Sequence, residues 1–255
     1  MDKPIEHFAV NYDDSQCFAT VKQKLMDQKK RIVAERLYLI LGALFVAALV
    51  SGNLIFQKFF VWSPFGLFTF ELSVGIIPYP VTFLVTDIIS EVYGRKRANR
   101  VVLAGLFASV FMLGIIMVAA MAPATEWSPI SDDEFRRVFG FTFIAVSASL
   151  AAYLLAQLID VQLFHFWKRL TKGKHLWFRN NASTFSSQFI DTFTVLFLLC
   201  SFGVIEWELF GSLLLNGYLF KVMFAAIDTP IAYVIVWGMR RYFGLKGYGA
   251  ELENF

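Results

Sequence analysis

Asp87 and Glu91 lie inside a predominantly apolar stretch, Ile77-Pro-Tyr-Pro-Val-Thr-Phe-Leu-Val-Thr-Asp-Ile-Ile-Ser-Glu-Val-Tyr-Gly-Arg-Lys-Arg97, that ends in a basic run. A carboxylate at membrane depth costs at least about 2.5 kcal/mol, so it usually faces a bundle interior or a watery cavity. Helical spacing puts these two acids on one face, about 6 Å apart along the axis. Further polar residues interrupt later apolar runs: Gln157 and Asp160, then Gln188 and Asp191 at i, i+3, then Lys221 and Asp228 two turns apart on one face. One chemistry is structural: Lys221 neutralises one or two acids and the glutamines tie helices together, each contact worth about 0.6 kcal/mol. The other is functional: Asp87, Gln188, Asp191 and Asp228 converge on a polar solute, or one of them carries a proton. The number of acids in apolar runs favours the solute site.

Other chemistries lack their residues. The chain has no Walker A sequence, no HExxH and no GxSxG. His165 and His175 stand singly, and Cys17 and Cys200 suggest neither a disulfide nor a metal site. No cofactor is implied, an enzyme is not the reading, and the net charge of +3 is too small and too localised in loops to argue for nucleic acid.

These residues need helices in a bilayer to position them. Of 255 residues 57% are hydrophobic, 29 are Phe and only 17% are charged, against about 25% charged in soluble domains. The mean hydropathy is +0.58. The fold class is all-α integral membrane, with spans expected at about 37–56, 73–93, 98–121, 138–167, 182–204 and 210–242. Residues 1–35 read as a cytosolic segment, with a short amphipathic helix from Asp14 to Arg36, 36–243 as the six-helix transmembrane domain and 244–255 as a cytosolic tail. No cleavable signal peptide is visible in the polar first 35 residues.

Asn53 and Gln57, at the far end of the first span, either line a cavity mouth or sit in the interface. Ser63-Pro-Phe-Gly66 is a turn signal, and the alternation from Leu67 to Val74 has a strand period, so a short outer hairpin or extended loop is expected between spans 1 and 2, with Glu71 as a solvated charge. The second helix starts at Pro80 or is kinked there. Residues 123–137 read as a polar loop, and Pro230 should kink the last helix. Basic residues at the N-terminal segment, at Arg95, Lys96, Arg97 and Arg100, in the linker up to Arg179 and at Arg240, Arg241 and Lys246 put both termini in the cytosol. The protein is expected to be multi-pass in the cytoplasmic (inner) cell membrane.

Pro78-Tyr-Pro-Val-Thr-Phe-Leu-Val-Thr-Asp-Ile-Ile-Ser-Glu-Val-Tyr-Gly94 resembles the signature of the queuosine precursor transporter family, also called the vitamin uptake transporter family. Ser183-Thr-Phe-Ser-Ser-Gln-Phe-Ile-Asp-Thr192, preceded by Arg179 and Asn180, and the segment from Lys221 through Asp228-Thr-Pro-Ile-Ala-Tyr233 are similar to its two later motifs. The resemblance covers about 37–242. It implies uptake of a 7-deazaguanine precursor of the tRNA base queuosine, such as 7-cyano-7-deazaguanine. It also implies a six-helix architecture similar to the substrate-binding components of energy-coupling-factor transporters. Members generally work without a dedicated ATPase, although Ala43-x-x-x-Ala47 is similar to the small-residue pair by which those components meet one. A substrate-binding subunit of an ATP-driven importer and an intramembrane enzyme are the alternatives, and homodimerisation stays open.

Matched by motif position, the candidate substrate-binding residues are Asp87, Glu91, Gln188, Asp191, Lys221 and Asp228, with Asn53 as a further donor. For such a ligand, a carboxylate of Asp191 or Asp228 would accept the lactam N–H and exocyclic amine side by side. Gln188, Asn53 or Lys221 would donate to its carbonyl, with Tyr79, Phe83, Phe185 and Phe189 as aromatic walls.

Overall fold

The structure, a computed structural model, describes residues 14–66, 68–170, 176–245 and 252, and their side chains other than those of 14–27, 65, 95, 154, 157–158, 160–170 and 176–184. The expectations for Gln157, Asp160, His165, His175, Arg179 and Asn180 concern side chains outside that description. The elements in order are α1 (Asp14–Ile55), β1 (Phe59–Trp62), β2 (Phe70–Ser73), α2 (Tyr79–Tyr93), α3 (Arg95–Met121), α4 (Asp132–Phe139), α5 (Thr142–Leu170), α6 (Leu176–Ser201) and α7 (Phe210–Phe243).

Among the described residues, five segments are long and apolar enough to cross a membrane: Gln28–Ile55, Val74–Tyr93, Lys96–Met121, Asp132–Tyr153 and Trp207–Phe243. In α6 the apolar stretch Phe185–Ser201 is shorter among the described residues. The protein is therefore a mostly helical, multi-pass membrane protein. Its outer surface agrees: Phe107, Phe111 and Val118 on α3 are exposed in the isolated chain, a cost in water but none against lipid tails.

Helix α1 runs without a break from Asp14, so the cationic segment and the first apolar run form one rod. Its 42 residues rise about 63 Å, roughly twice the hydrocarbon thickness. Helix α2 begins at Tyr79, with Pro80 in its first turn, where the missing N–H has no intrahelical partner to lose. It is the central rod, packed against α1, α3 and α7. Val85, Ile89, Val92 and Tyr93 from α2 meet Ala34 and Phe45 from α1 and Ala98 and Val101 from α3 in one buried cluster. Gly94 joins α2 to α3 at φ 85°, a backbone conformation closed to residues with a Cβ, so the two helices turn on a single residue.

The expected hairpin is present. Strands β1 and β2 pair antiparallel from Phe59↔Ser73 to Trp62↔Phe70. A lone two-stranded hairpin is marginal, and this one is held by Phe70 and Leu72 packing on Phe220 of α7, with Trp62 and Phe224 alongside. One detail differs from the sequence reading. The segment expected as a polar loop contains α4, started by a capping box in which Glu134 N–H donates to Ser131 Oγ and Ser131 N–H donates back to Glu134. Helix α7 continues through Pro230 as one element.

Candidate functional site

Five helices and the hairpin enclose a cavity of about 200 Å³. The end of α1 supplies Gly52 and Asn53, the turn after it Phe56, the hairpin Phe59, Glu71, Leu72 and Ser73, and α2 Tyr79 and Thr82. Ser149 comes from α5, Asp191 and Thr192 from α6, and Gly217 and Lys221 from α7. The walls are mainly apolar with a few polar groups, as small-molecule sites commonly are.

Helical spacing in α6 turns Gln188, Asp191 and Thr192 to one face, and all three are buried. Thr192 anchors its hydroxyl on the carbonyl of Gln188 at 2.9 Å. Lys221 Nζ donates to Asp191 Oδ2 at 2.6 Å, with the two side chains only 8% and 13% exposed. The phenol of Tyr79 donates to the same oxygen at 2.8 Å and lies 3.2 Å from Gln188 Oε1. The ammonium of Lys221 also stands 4.3 Å from the centre of the Tyr79 ring, within cation–π range. One carboxylate, one ammonium, one phenol and one amide from α2, α6 and α7 thus form a single connected network. Asn53 contributes a different feature: its Nδ2 is buried with no hydrogen-bond partner among the described residues.

The crossing that brings Asn53 here is tight. A Cβ on Gly75 would lie 2.6 Å from the carbonyl oxygen of Gly52, and one on Gly52 would lie 2.9 Å from that of Gly75. Only two glycines let the end of α1 approach the turn before α2 this closely. Ser73 closes the same corner by donating to the Phe56 carbonyl.

Of the residues singled out by sequence, Asn53, Gln188, Asp191 and Lys221 meet at or beside the cavity. Asp87, Glu91 and Asp228 are not among its lining residues. Asp87 lies about 12 Å beyond Tyr79 along α2, and Asp228 about 10 Å beyond Lys221 along α7. Those two helices pack together, and the two carboxylates are close enough to interact electrostatically. Glu91 is farther along and pairs with Arg240 Nη1 at 2.9 Å, its side chain 56% exposed. Lys221 pairs across helices with Asp191 rather than along α7 with Asp228.

Among the aromatics, Tyr79 lines the cavity and packs edge-on against Phe83, while Phe189 is exposed and packs on Tyr218. Glu71 is exposed, as expected, and also lines the cavity. The sequence reading names Thr192 only as the end of a motif and does not name Ser149, because a hydroxyl in an apolar run ordinarily bonds its own helix, as that of Thr192 does. Among the described residues no group of three His, Cys, Asp or Glu side chains is placed to hold a metal ion.

Comparison with known proteins adds a second line of evidence. The profile of the family described as "Putative vitamin uptake transporter" matches residues 73–235, which takes in α2, α6 and the site-bearing part of α7. The chain is 30% identical over 169 residues to the "Probable queuosine precursor transporter" of Bacillus subtilis (strain 168), covering 66% of this chain and 72% of that protein. It is 25% identical over 191 residues to the "Queuosine precursor transporter" of Escherichia coli (strain K12), covering 72% and 80%. A similar protein from Haemophilus influenzae, named "Probable queuosine precursor transporter", is 26% identical over 175 residues, covering 66% and 70%. No solved structure matches the chain.

Proposed function

The chain belongs to the vitamin uptake transporter family, and on that premise we propose that it imports a queuosine precursor, a 7-deazaguanine such as 7-cyano-7-deazaguanine, across the cell membrane for tRNA modification. In this reading it has six spans with both termini cytosolic, is built like the substrate-binding components of energy-coupling-factor transporters, and works without a dedicated ATPase.

The observation that carries the substrate class is the Asp191 network beside an Asn53 Nδ2 that has no partner among the described residues. Both hydrogen bonds to Asp191 among the described residues fall on Oδ2, which leaves Oδ1 for the N–H groups of a lactam and exocyclic amine. Asn53 Nδ2 supplies the donor that the ring carbonyl requires, and Gln188 completes the polar edge. Tyr79 offers an aromatic surface, already polarised by Lys221. A cavity of about 200 Å³ is below the about 300–1,000 Å³ of pockets for drug-sized ligands, which suits a flat bicyclic base better than a nucleotide. Asp87 and Asp228, deeper along the α2–α7 seam, are assigned to passage of the solute rather than to its first capture.

The test is the unfolding temperature of the detergent-purified protein with 7-cyano-7-deazaguanine, 7-aminomethyl-7-deazaguanine, queuine and guanine. A ligand that binds only the folded state raises stability once its concentration exceeds its Kd. A rise with deazaguanines but not with guanine is the expected result. No rise with any of the four at millimolar concentration, in a folded sample, would remove the substrate assignment.

A further inference from the structure

A second cavity, separate from the solute site, opens on the lipid-facing side between α1 and α3. It has a volume of about 680 Å³. Its floor exists because α1 presents Gly42, Ala43 and Ala47 where neighbouring turns carry Leu39, Ile40 and Leu44, and because α3 meets them with Val101 and Ala104. The small side chains leave a gutter, and the large ones beside it form rims. Its ends are unlike each other. Ser51 and Val50 lie at one, and at the other the apolar middle gives way to Tyr38 and the guanidinium-bearing Arg100.

The two arginines at that end are used differently. Arg97 is held over the rings of Tyr38 and Tyr93, at 5.6 and 6.0 Å, and its carbonyl accepts from the Tyr38 hydroxyl. Arg100 is exposed, lines the groove and has no hydrogen-bond or ion-pair partner among the described residues. Lys96, one turn earlier, is also exposed. A cation at the membrane–water boundary above an apolar trough complements an amphiphile with one anionic head and a hydrocarbon tail.

The dimensions agree. From Tyr38 to Ser51 the groove follows α1 for about 20 Å, and one leaflet of hydrocarbon is about 15 Å deep. We propose that this groove is a binding site for one anionic phospholipid, its acyl chain lying along Gly42, Ala43 and Ala47 and its phosphate on Arg100. A second copy of the chain fits less well. A two-fold contact presents the same patch from both sides, so a pair of parallel copies would bring Arg100 and Lys96 against their equivalents.

The experiment uses the full-length protein in detergent, titrated with dioleoylphosphatidylglycerol or dioleoylphosphatidylcholine and followed by native mass spectrometry. Wild type is expected to retain one phosphatidylglycerol at least tenfold more tightly than phosphatidylcholine. Arg100→Gln should abolish that preference while leaving weak retention of both lipids. Ala47→Leu, which fills the trough, should weaken both. Arg137→Gln, a cation on the distant α4, should behave as wild type. Because Ala47→Leu could disturb packing, a photoactivatable phosphatidylglycerol provides a second readout on wild-type protein, with crosslinks expected in the segment 39–51. Equal retention of the two lipids by wild type would overturn the proposal. So would a preference surviving Arg100→Gln, crosslinks elsewhere, or a wild-type dimer that Ala47→Leu dissociates.

Discussion

The ammonium of Lys221 lies 2.6 Å from the Asp191 carboxylate, joining α7 to α6 at a depth where neither charge is more than 13% exposed. Removing one partner of a buried pair strands the other, at a cost of about 3–5 kcal/mol, whereas removing both leaves neutral groups that repack. Lys221→Met alone is therefore expected to lower the unfolding temperature sharply in detergent. The double variant Lys221→Met, Asp191→Asn should recover at least half of that loss while still failing to bind a deazaguanine. Additive losses in the double-mutant cycle would show that the pair is not coupled.

The contact between Gly52 and Gly75 makes a separate prediction. Alanine at Gly75 must push against backbone 2.6 Å away, not against a flexible side-chain tip. Overpacking of this kind costs about 1–3 kcal/mol, and here it also moves the wall that carries Asn53. Gly75→Ala should thus lose both stability and the ligand-induced thermal shift. Gly114→Ala, in α3 with nothing within 4 Å of the new methyl, is the control. It should match or exceed wild type, since alanine favours a helix over glycine by up to about 1 kcal/mol.

Much of this architecture is legible in the sequence because lipid imposes a simple rule: apolar runs of membrane length become helices. The strand period before Val74 and the prolines at 78 and 80 likewise mark the hairpin and the start of α2. Partners across helices are less legible. Helical spacing puts Lys221 and Asp228 on one face of α7 but leaves the acid that Lys221 neutralises unnamed, and the fold supplies Asp191 from α6. Tyr79 reads as an aromatic wall, and only tertiary closure over 112 positions reveals its hydroxyl as the bridge to Asp191. Helix α4 was hidden for another reason. Its Ser131-Asp-Asp-Glu134 capping box is present in the sequence, but its charged composition reads as a loop.

Glu91 belongs to the strongest motif, yet it stands at the far end of α2 with Arg240, more than half exposed. An exposed ion pair contributes about 0–1 kcal/mol. Glu91→Gln is accordingly expected to leave the unfolding temperature within a degree or two of wild type and to keep the thermal shift with 7-cyano-7-deazaguanine. Loss of that shift in a folded Glu91→Gln protein would place the residue in solute capture after all.

Asn53 separates stability from binding most cleanly. Its buried Nδ2 has no protein partner among the described residues, so the apo protein carries an unsatisfied donor worth about 1–3 kcal/mol of destabilisation. Leucine has the same number of side-chain heavy atoms, branched at the same carbon, and no polar atom to strand. Asn53→Leu should therefore unfold at the same temperature as wild type or higher when no ligand is present. The same variant should lose at least tenfold in affinity for 7-cyano-7-deazaguanine, because the ring carbonyl would then be buried without its donor. The two effects have opposite signs only if the amide is kept for the solute. An amide satisfied by the protein would instead make Asn53→Leu less stable without ligand, and an amide remote from the solute would leave affinity unchanged. Thermal unfolding of both proteins, with and without ligand, distinguishes all three cases.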